Sequence, residues 1–300
     1  MACSIVDLPV GTFLLTRVSF DGVSRTPYLR LMDSSGVFVY AHPTGDFTLQ
    51  FDCHAKHCIG WYDMRTGECH QCSAQRETAD KYEQCPECQQ KTGFNPAFYN
   101  TTNLSQQQAE LNAQPHIVYL AYFAPDVMKV GISYAGRHLA RLLEQGARSA
   151  IILDTFPSAN VARQYEARIS QMPNICESVQ LRKKITLFTE RRYDQTTAHQ
   201  ALMDTVACVE AQLQVTFMQR EYVELSSNML LNPQLDSTAA TEITEPKISG
   251  HFAGMVGSLL IMQHDDRLVF MPLKYYVGYD FTISRVIEPL ALAPMQTSLF

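Results

Sequence analysis

Between residues 116 and 169 the spacing of apolar positions alternates between strand-like and helix-like. The apolar, β-rich run 117–123 is followed, after Pro125 and Asp126, by a second run at 127–133, and the two read as the strands of a hairpin. Beyond it Leu139, Leu142 and Leu143 form the stripe of a helix, which leaves Arg137 and Arg141 one turn apart on a shared face. Residues 150–153 read as a third strand. Pro157 and Ser158 then lead into a second helix, where Val161, Tyr165 and Ile169 recur at helical spacing beside Glu166. The predicted order is strand, strand, helix, strand, helix.

Both ends of the chain read as β. Runs at 12–18, 27–32, 37–40 and 47–51 are separated by turn signals at Asp21-Gly22, Ser34-Ser35-Gly36 and Thr44-Gly45. Runs at 255–262, 268–271 and 281–286 follow the same style, with Asp265-Asp266 as a turn. Asp46-Phe47-Thr48 after Gly45 and Asp280-Phe281-Thr282 after Gly278 hint that the two ends are related or pair in one barrel-like sheet. Between them, 105–114 predicts a short helix and 196–217 a longer one with Leu202, Val206, Val209 and Leu213 as its apolar face. Residues 226–246, rich in Asn, Ser, Thr and Pro, read as a linker. The expected units are a β-rich 1–52, a cysteine-bearing connector 53–115, a core 116–195, a helical segment 196–225, a linker 226–248 and a C-terminal β unit 249–300.

Six of the nine cysteines fall between Cys53 and Cys88, interleaved with His54, His57 and His70. Cys69-His70-Gln71-Cys72 and Cys85-Pro86-Glu87-Cys88 are two Cys-x-x-Cys knuckles, each able to place two thiolates on one ion, and their separation suits a tetrahedral zinc ribbon. A disulfide framework is the alternative, but a chain of 300 residues does not need one. With no basic leader and no apolar run near the roughly twenty residues of a membrane span, the expectation is a cytoplasmic protein whose thiols hold metal. Cys3, Cys176 and Cys208 lie outside the cluster, and Cys208 is expected to be buried in its helix.

An apolar content of 46% describes a globular chain with ample core. The formal charge of −6 argues against a generally basic nucleic-acid binder, yet it is uneven. From 116 to 192, eleven Lys and Arg face six Asp and Glu, with Arg182, Lys183, Lys184, Arg191 and Arg192 as the densest patch. The formal Asn-x-Ser/Thr sites at Asn100 and Asn103 have no role in a cytoplasmic protein.

The order of elements, with Val118-Tyr119, Lys129-Val130-Gly131, Arg141 and Glu166, resembles the GIY-YIG nuclease superfamily, whose core is a small antiparallel three-stranded sheet with flanking helices. The wider middle, with Cys58-Ile59-Gly60-Trp61, Gln84-Cys85-Pro86-Glu87-Cys88, Gly93-Phe94-Asn95-Pro96 and Leu143-Glu144-Gln145-Gly146-Ala147, resembles a bacterial family of uncharacterised proteins carrying such a core behind a cysteine cluster. The first resemblance implies a metal-dependent endonuclease. Glu166 would hold one divalent cation, Mg2+ or Mn2+, Arg141 would pair with the scissile phosphate, Lys129 would add positive charge and Tyr119 would serve as base. Lys129 replaces the second motif's usual tyrosine, as in some restriction-type relatives where the first tyrosine takes over, and Arg141 lies two residues further from Gly131 than is typical. The second resemblance points to Cys58, Cys72, Cys85 and Cys88 as ligands of a structural Zn2+, with Cys69 and His70 as the runner-up.

Each of these residues also has an ordinary reading. A tyrosine in an apolar strand usually packs, and a helical glutamate between Arg163 and Arg168 usually faces water. Their joint occurrence on the expected elements favours a site. The expectation is thus an α+β protein that cleaves nucleic acid, DNA before RNA. The rivals are a catalytically inactive zinc-containing nucleic-acid-binding or assembly protein, and a redox or metal sensor that touches no nucleic acid.

Overall fold

A computed structural model describes residues 4–79, 81–95, 104–228, 230 and 236–292; Cys3, Pro96, Asn100 and Asn103 lie outside them. The first strands are β1 (Ile5–Asp7), β2 (Gly11–Phe20), β3 (Pro27–Met32), β4 (Phe38–His42) and β5 (Asp46–Asp52). A short pair, β6 (Trp61–Tyr62) and β7 (Cys69–His70), precedes helices α1 (Pro86–Thr92) and α2 (Gln106–Asn112). Then come β8 (His116–Ala124), β9 (Val127–Tyr134), a 3-10 turn (Ala135–Arg137), α3 (Ala140–Gln145), β10 (Ser149–Phe156) and α4 (Ala159–Ile169). After β11 (Ile175–Cys176) follow α5 (Leu181–Glu190), α6 (Gln195–Leu213) and β12 (Glu221–Glu224). The last strands are β13 (Thr241–Glu242), β14 (Lys247–Val256), β15 (Leu259–His264), β16 (Arg267–Pro272) and β17 (Asp280–Ser284).

The two ends of the chain build one ten-stranded sheet, ordered β1-β4-β3-β2-β17-β5-β14-β15-β16-β13. Segments 1–52 and 249–300 are therefore not separate units. β17 lies antiparallel between β2 and β5, with Phe281 opposite Phe51, and the two rings stack at 4.9 Å. The expected linker 226–248 is also corrected: β13 pairs with β16, β14 begins at Lys247, and Ser237, Ile243 and Ile248 are buried. Polar composition misled because this edge of the sheet is bound by backbone hydrogen bonds that any side chain permits. The expected strand 255–262 is broken at Gly257, whose φ of +59° turns the chain between β14 and β15.

The middle of the chain forms a second sheet, ordered β11-β9-β8-β10-β12. Its central three strands are antiparallel, with Tyr119 directly opposite Gly131. α6 packs against this sheet and β12 pairs with β10, so 196–225 belongs with 116–195. Both faces are covered, which is why β8 reads as a continuous apolar run rather than an alternating one. Val118, Leu120 and Tyr122 face α4 and α6, whereas Ile117, Tyr119 and Ala121 share a core with α3, α5 and the ten-stranded sheet. Arg137 stands in the 3-10 turn before α3 rather than on the helix. On α6 the buried stripe is Ala198, Leu202, Val206, Val209 and Leu213, and Cys208 is exposed, contrary to expectation, because it falls off that stripe.

Candidate functional site

Two constellations stand out, one of sulfurs and one of charges. Cys58, Cys72, Cys85 and Cys88 are buried, and their Sγ atoms all lie within 4.8 Å of one another. Local structure explains the convergence. Cys85 caps α1, with Pro86 fixing the first helical turn, so Cys88 comes round to the same end. The Cys85 N–H donates to Cys58 Sγ at 3.2 Å. Gly60, at φ +82°, lets the chain after Cys58 pass the carbonyl of His70, which a Cβ would meet at 2.0 Å. Burial pushes the Cys72 thiol up, but N–H groups of Arg76 and Ala74 outweigh it and hold its pKa near about 7.

A buried set of four thiols this close together is a group that can hold a metal such as zinc, which prefers four such ligands. Cys69 and His70 are turned to other work. Neighbouring residues on a strand point to opposite sides. Cys69 accepts a hydrogen bond from Arg30 Nη1 at 2.8 Å, and His70 stacks on Trp61 at 4.0 Å.

The charged constellation lies around β8 and β9 of the five-stranded sheet, beside α3 and α4. The Tyr119 hydroxyl rests over Gly131, where a Cβ would come within 2.5 Å of it and 3.1 Å of Lys129 Nζ. Only glycine leaves that room. Lys129 Nζ stands 6.0 Å from the Tyr119 ring and donates to the carbonyls of Val130 at 3.0 Å and Glu177 at 2.5 Å. Glu166 interrupts the α4 stripe of Ala159, Ala162 and Ile169 and accepts from Arg163 Nη1 at 2.5 Å. Arg163 also donates to Glu177 at 3.0 Å, so one guanidinium sits between two carboxylates. Arg141, partly exposed on α3, lies 4.0 Å from Glu144.

The structure thus brings Tyr119, Lys129, Arg141 and Glu166 within electrostatic reach of one another. Three of the four are buried. Tyr119 is 0% exposed and its hydroxyl makes no hydrogen bond. Burial raises its pKa to about 12 against the opposing pull of Arg141. Burial also raises the Glu166 carboxyl and lowers the Lys129 amine, while the two partly stabilise each other's charge.

Sequence reasoning missed three neighbours. Arg163 occupies Glu166, a pairing visible in the i, i+3 spacing. Glu177 follows a left-handed turn at Asn174 (φ +63°) and gave no signal. Glu144, on α3 with its side chain 11% exposed, accepts from Arg137 at 2.6 Å, Arg17 at 2.8 Å and Ser19 at 2.5 Å, tying the core to β2. Those cations and the Ser19 hydroxyl overcome burial and hold its pKa at about 2.

No described helix is long and apolar enough to cross a membrane. No curated protein and no solved structure matches the chain. The family described as "Protein of unknown function (DUF2797)" matches residues 46–281, most of the chain, and the protein belongs to that family.

Proposed function

We propose that the protein cleaves phosphodiester bonds of nucleic acid, DNA before RNA, at a GIY-YIG-type site formed by Tyr119, Lys129, Arg141 and Glu166. The convergence of these four side chains, from four different elements and spread over 48 positions of sequence, carries the proposal. Arg141, the exposed member, meets the phosphate with its planar fork and draws charge from it. Lys129, fixed by two carbonyls, adds a second positive point. Tyr119 acts as base once its hydroxyl, now without a partner, is turned toward the incoming water; its proton leaves only if positive charge at the site rises further, because burial keeps its pKa at about 12 even against the pull of Arg141.

The residues fit a hard divalent cation in one specific sense. The Arg163 guanidinium bridges Glu166 and Glu177, two carboxylates able to hold Mg2+ or Mn2+ in its place. Such an ion, when bound, supplies charge stabilisation of the leaving oxygen. The cysteine cluster, holding zinc, fixes the segment that joins the two sheets and positions substrate.

The second reading, a nucleic-acid-binding unit without catalysis, is favoured by the complete burial of Tyr119 and by the Arg163–Glu166 pair. Incubation of the purified protein with single- and double-stranded DNA and RNA and with Mg2+ or Mn2+ separates the two. Cleavage abolished by Glu166→Ala and by Tyr119→Phe supports the first. Intact substrate in every condition, with salt-sensitive retardation that survives Glu166→Ala, supports the second.

A further inference from the structure

A cleft of about 240 Å³ opens beside the charged cluster, between the end of β8, α5, the start of α6 and the Gly257 turn. It is not lined by Tyr119, Lys129, Arg141 or Glu166, and Lys184 is its link to them. Lys184, on its wall, feels the charges of Lys129 and Arg141, and burial with these neighbours lowers its pKa to about 8. The cleft is slightly smaller than the roughly 300–1,000 Å³ usual for small-molecule sites. That suits a compact ligand rather than a length of polymer.

Its wall is cationic and aromatic. Arg148, Lys184, Arg191 and Arg192 line it, and among the described residues none of them forms an ion pair. The two acids on the wall are already engaged: Glu144 by Arg17 and Arg137, and Asp194 as the cap that accepts the Thr197 N–H at 2.7 Å. Of its aromatic residues Tyr122 and Phe188 are buried in the cores on either side, and Phe123 and Tyr193 are the partly exposed ones. Two polar atoms of the wall, Arg148 Nε and the Tyr193 hydroxyl, are buried without a hydrogen-bond partner, although Arg148 lies over the Tyr193 ring at 4.9 Å. Buried polar atoms left without partners are costly, by about 1–3 kcal/mol each. A ligand bearing acceptors would satisfy Arg148 Nε, whereas the nearest polar neighbours of the Tyr193 hydroxyl are those of Ser149 and Tyr222, away from the cleft lining.

We propose that this cleft binds a mononucleotide-sized organic phosphate, its phosphate against Arg148, Lys184 and Arg191 and its ring against Phe123 and Tyr193. Several uncompensated cations call for a phosphate monoester, which carries about −1.5 to −2 near neutrality, before a carboxylate. The aromatic wall calls for a planar group, since stacking on such rings is tolerant of base identity. The choice of a nucleotide among organic phosphates rests on the phosphodiester chemistry proposed for the adjoining cluster.

The test is calorimetric titration of the full-length protein with adenosine monophosphate, adenosine and inorganic phosphate. Adenosine monophosphate is expected to bind at least tenfold more tightly than either part alone. Lys184→Gln and the exposed Arg191→Gln should each weaken it about fivefold or more, with unchanged melting of Arg191→Gln vouching for the fold. Binding no tighter than that of phosphate, or unchanged in both variants, overturns the inference. Nucleotide binding by a protein that leaves DNA and RNA intact keeps this inference and defeats the proposed function; cleavage without nucleotide binding does the reverse.

Discussion

Glu144 offers the sharpest physical prediction, because it ties α3 to β2 and is held by two arginines and a serine hydroxyl. Its pKa is held at about 2, against about 4.3 for a free glutamate. At about 1.36 kcal/mol per tenfold change in proton affinity, the charged form contributes about 3 kcal/mol to stability. The sign follows from the lowered pKa: this contribution is complete above about pH 5 and is lost as pH falls toward 2. Glu144→Gln keeps the shape but strands Arg17 and Arg137, which are about one-third exposed. Breaking a fully buried pair costs about 3–5 kcal/mol, so the lower end applies. Urea denaturation of both proteins at pH 7, 5, 4 and 3 is the assay. The variant should be about 3 kcal/mol less stable at pH 7, with the gap narrowing steadily below pH 5. A gap under 1 kcal/mol at pH 7, or one independent of pH, refutes the reasoning.

Purified protein is expected to carry one equivalent of zinc by elemental analysis, and Cys85→Ser or Cys88→Ser to lose it along with cooperative folding around α1; a structural zinc contributes an apparent 10–16 kcal/mol, roughly, in small domains. Tyr119→Phe removes a buried hydroxyl that has no partner, so it should leave thermal stability unchanged or raised by up to about 1 kcal/mol while abolishing cleavage, and a large fall in melting temperature would contradict this account of the hydroxyl. Gly131→Ala drives a Cβ to 2.5 Å from that hydroxyl and 2.6 Å from its ring carbon, an overpacking expected to cost about 1–3 kcal/mol in chemical denaturation, and a neutral effect would mean that Tyr119 does not rest where described.

Much of the middle of the chain was legible because its periods are clean. The 117–123 and 127–133 runs became β8 and β9, and α4 begins after Ser158, whose side chain caps it by accepting the Val161 N–H. The two Asp-Phe-Thr runs foreshadowed adjacent strands, β5 and β17. What stayed hidden was long-range. Nothing local says that β17 enters between β2 and β5, or that residues 226–248 contribute a sheet edge, since backbone pairing leaves no side-chain period there. In the candidate site the four residues were singled out by the family resemblance, not by spacing alone. The burial of Tyr119 was not legible: it arises because α3 and α5 fill the space between the sheets. The cysteine set depended on the side to which Cys69 points, which the Arg30 contact from β3 decides.

The most direct test of the central claim is an anomalous difference map from crystals soaked in Mn2+. The account predicts a single peak beside Glu166, apart from the cysteine cluster, with Arg163 swung away and Glu177 turned toward the ion. An intact Arg163–Glu166 pair at saturating Mn2+, with no peak near either carboxylate, would contradict it.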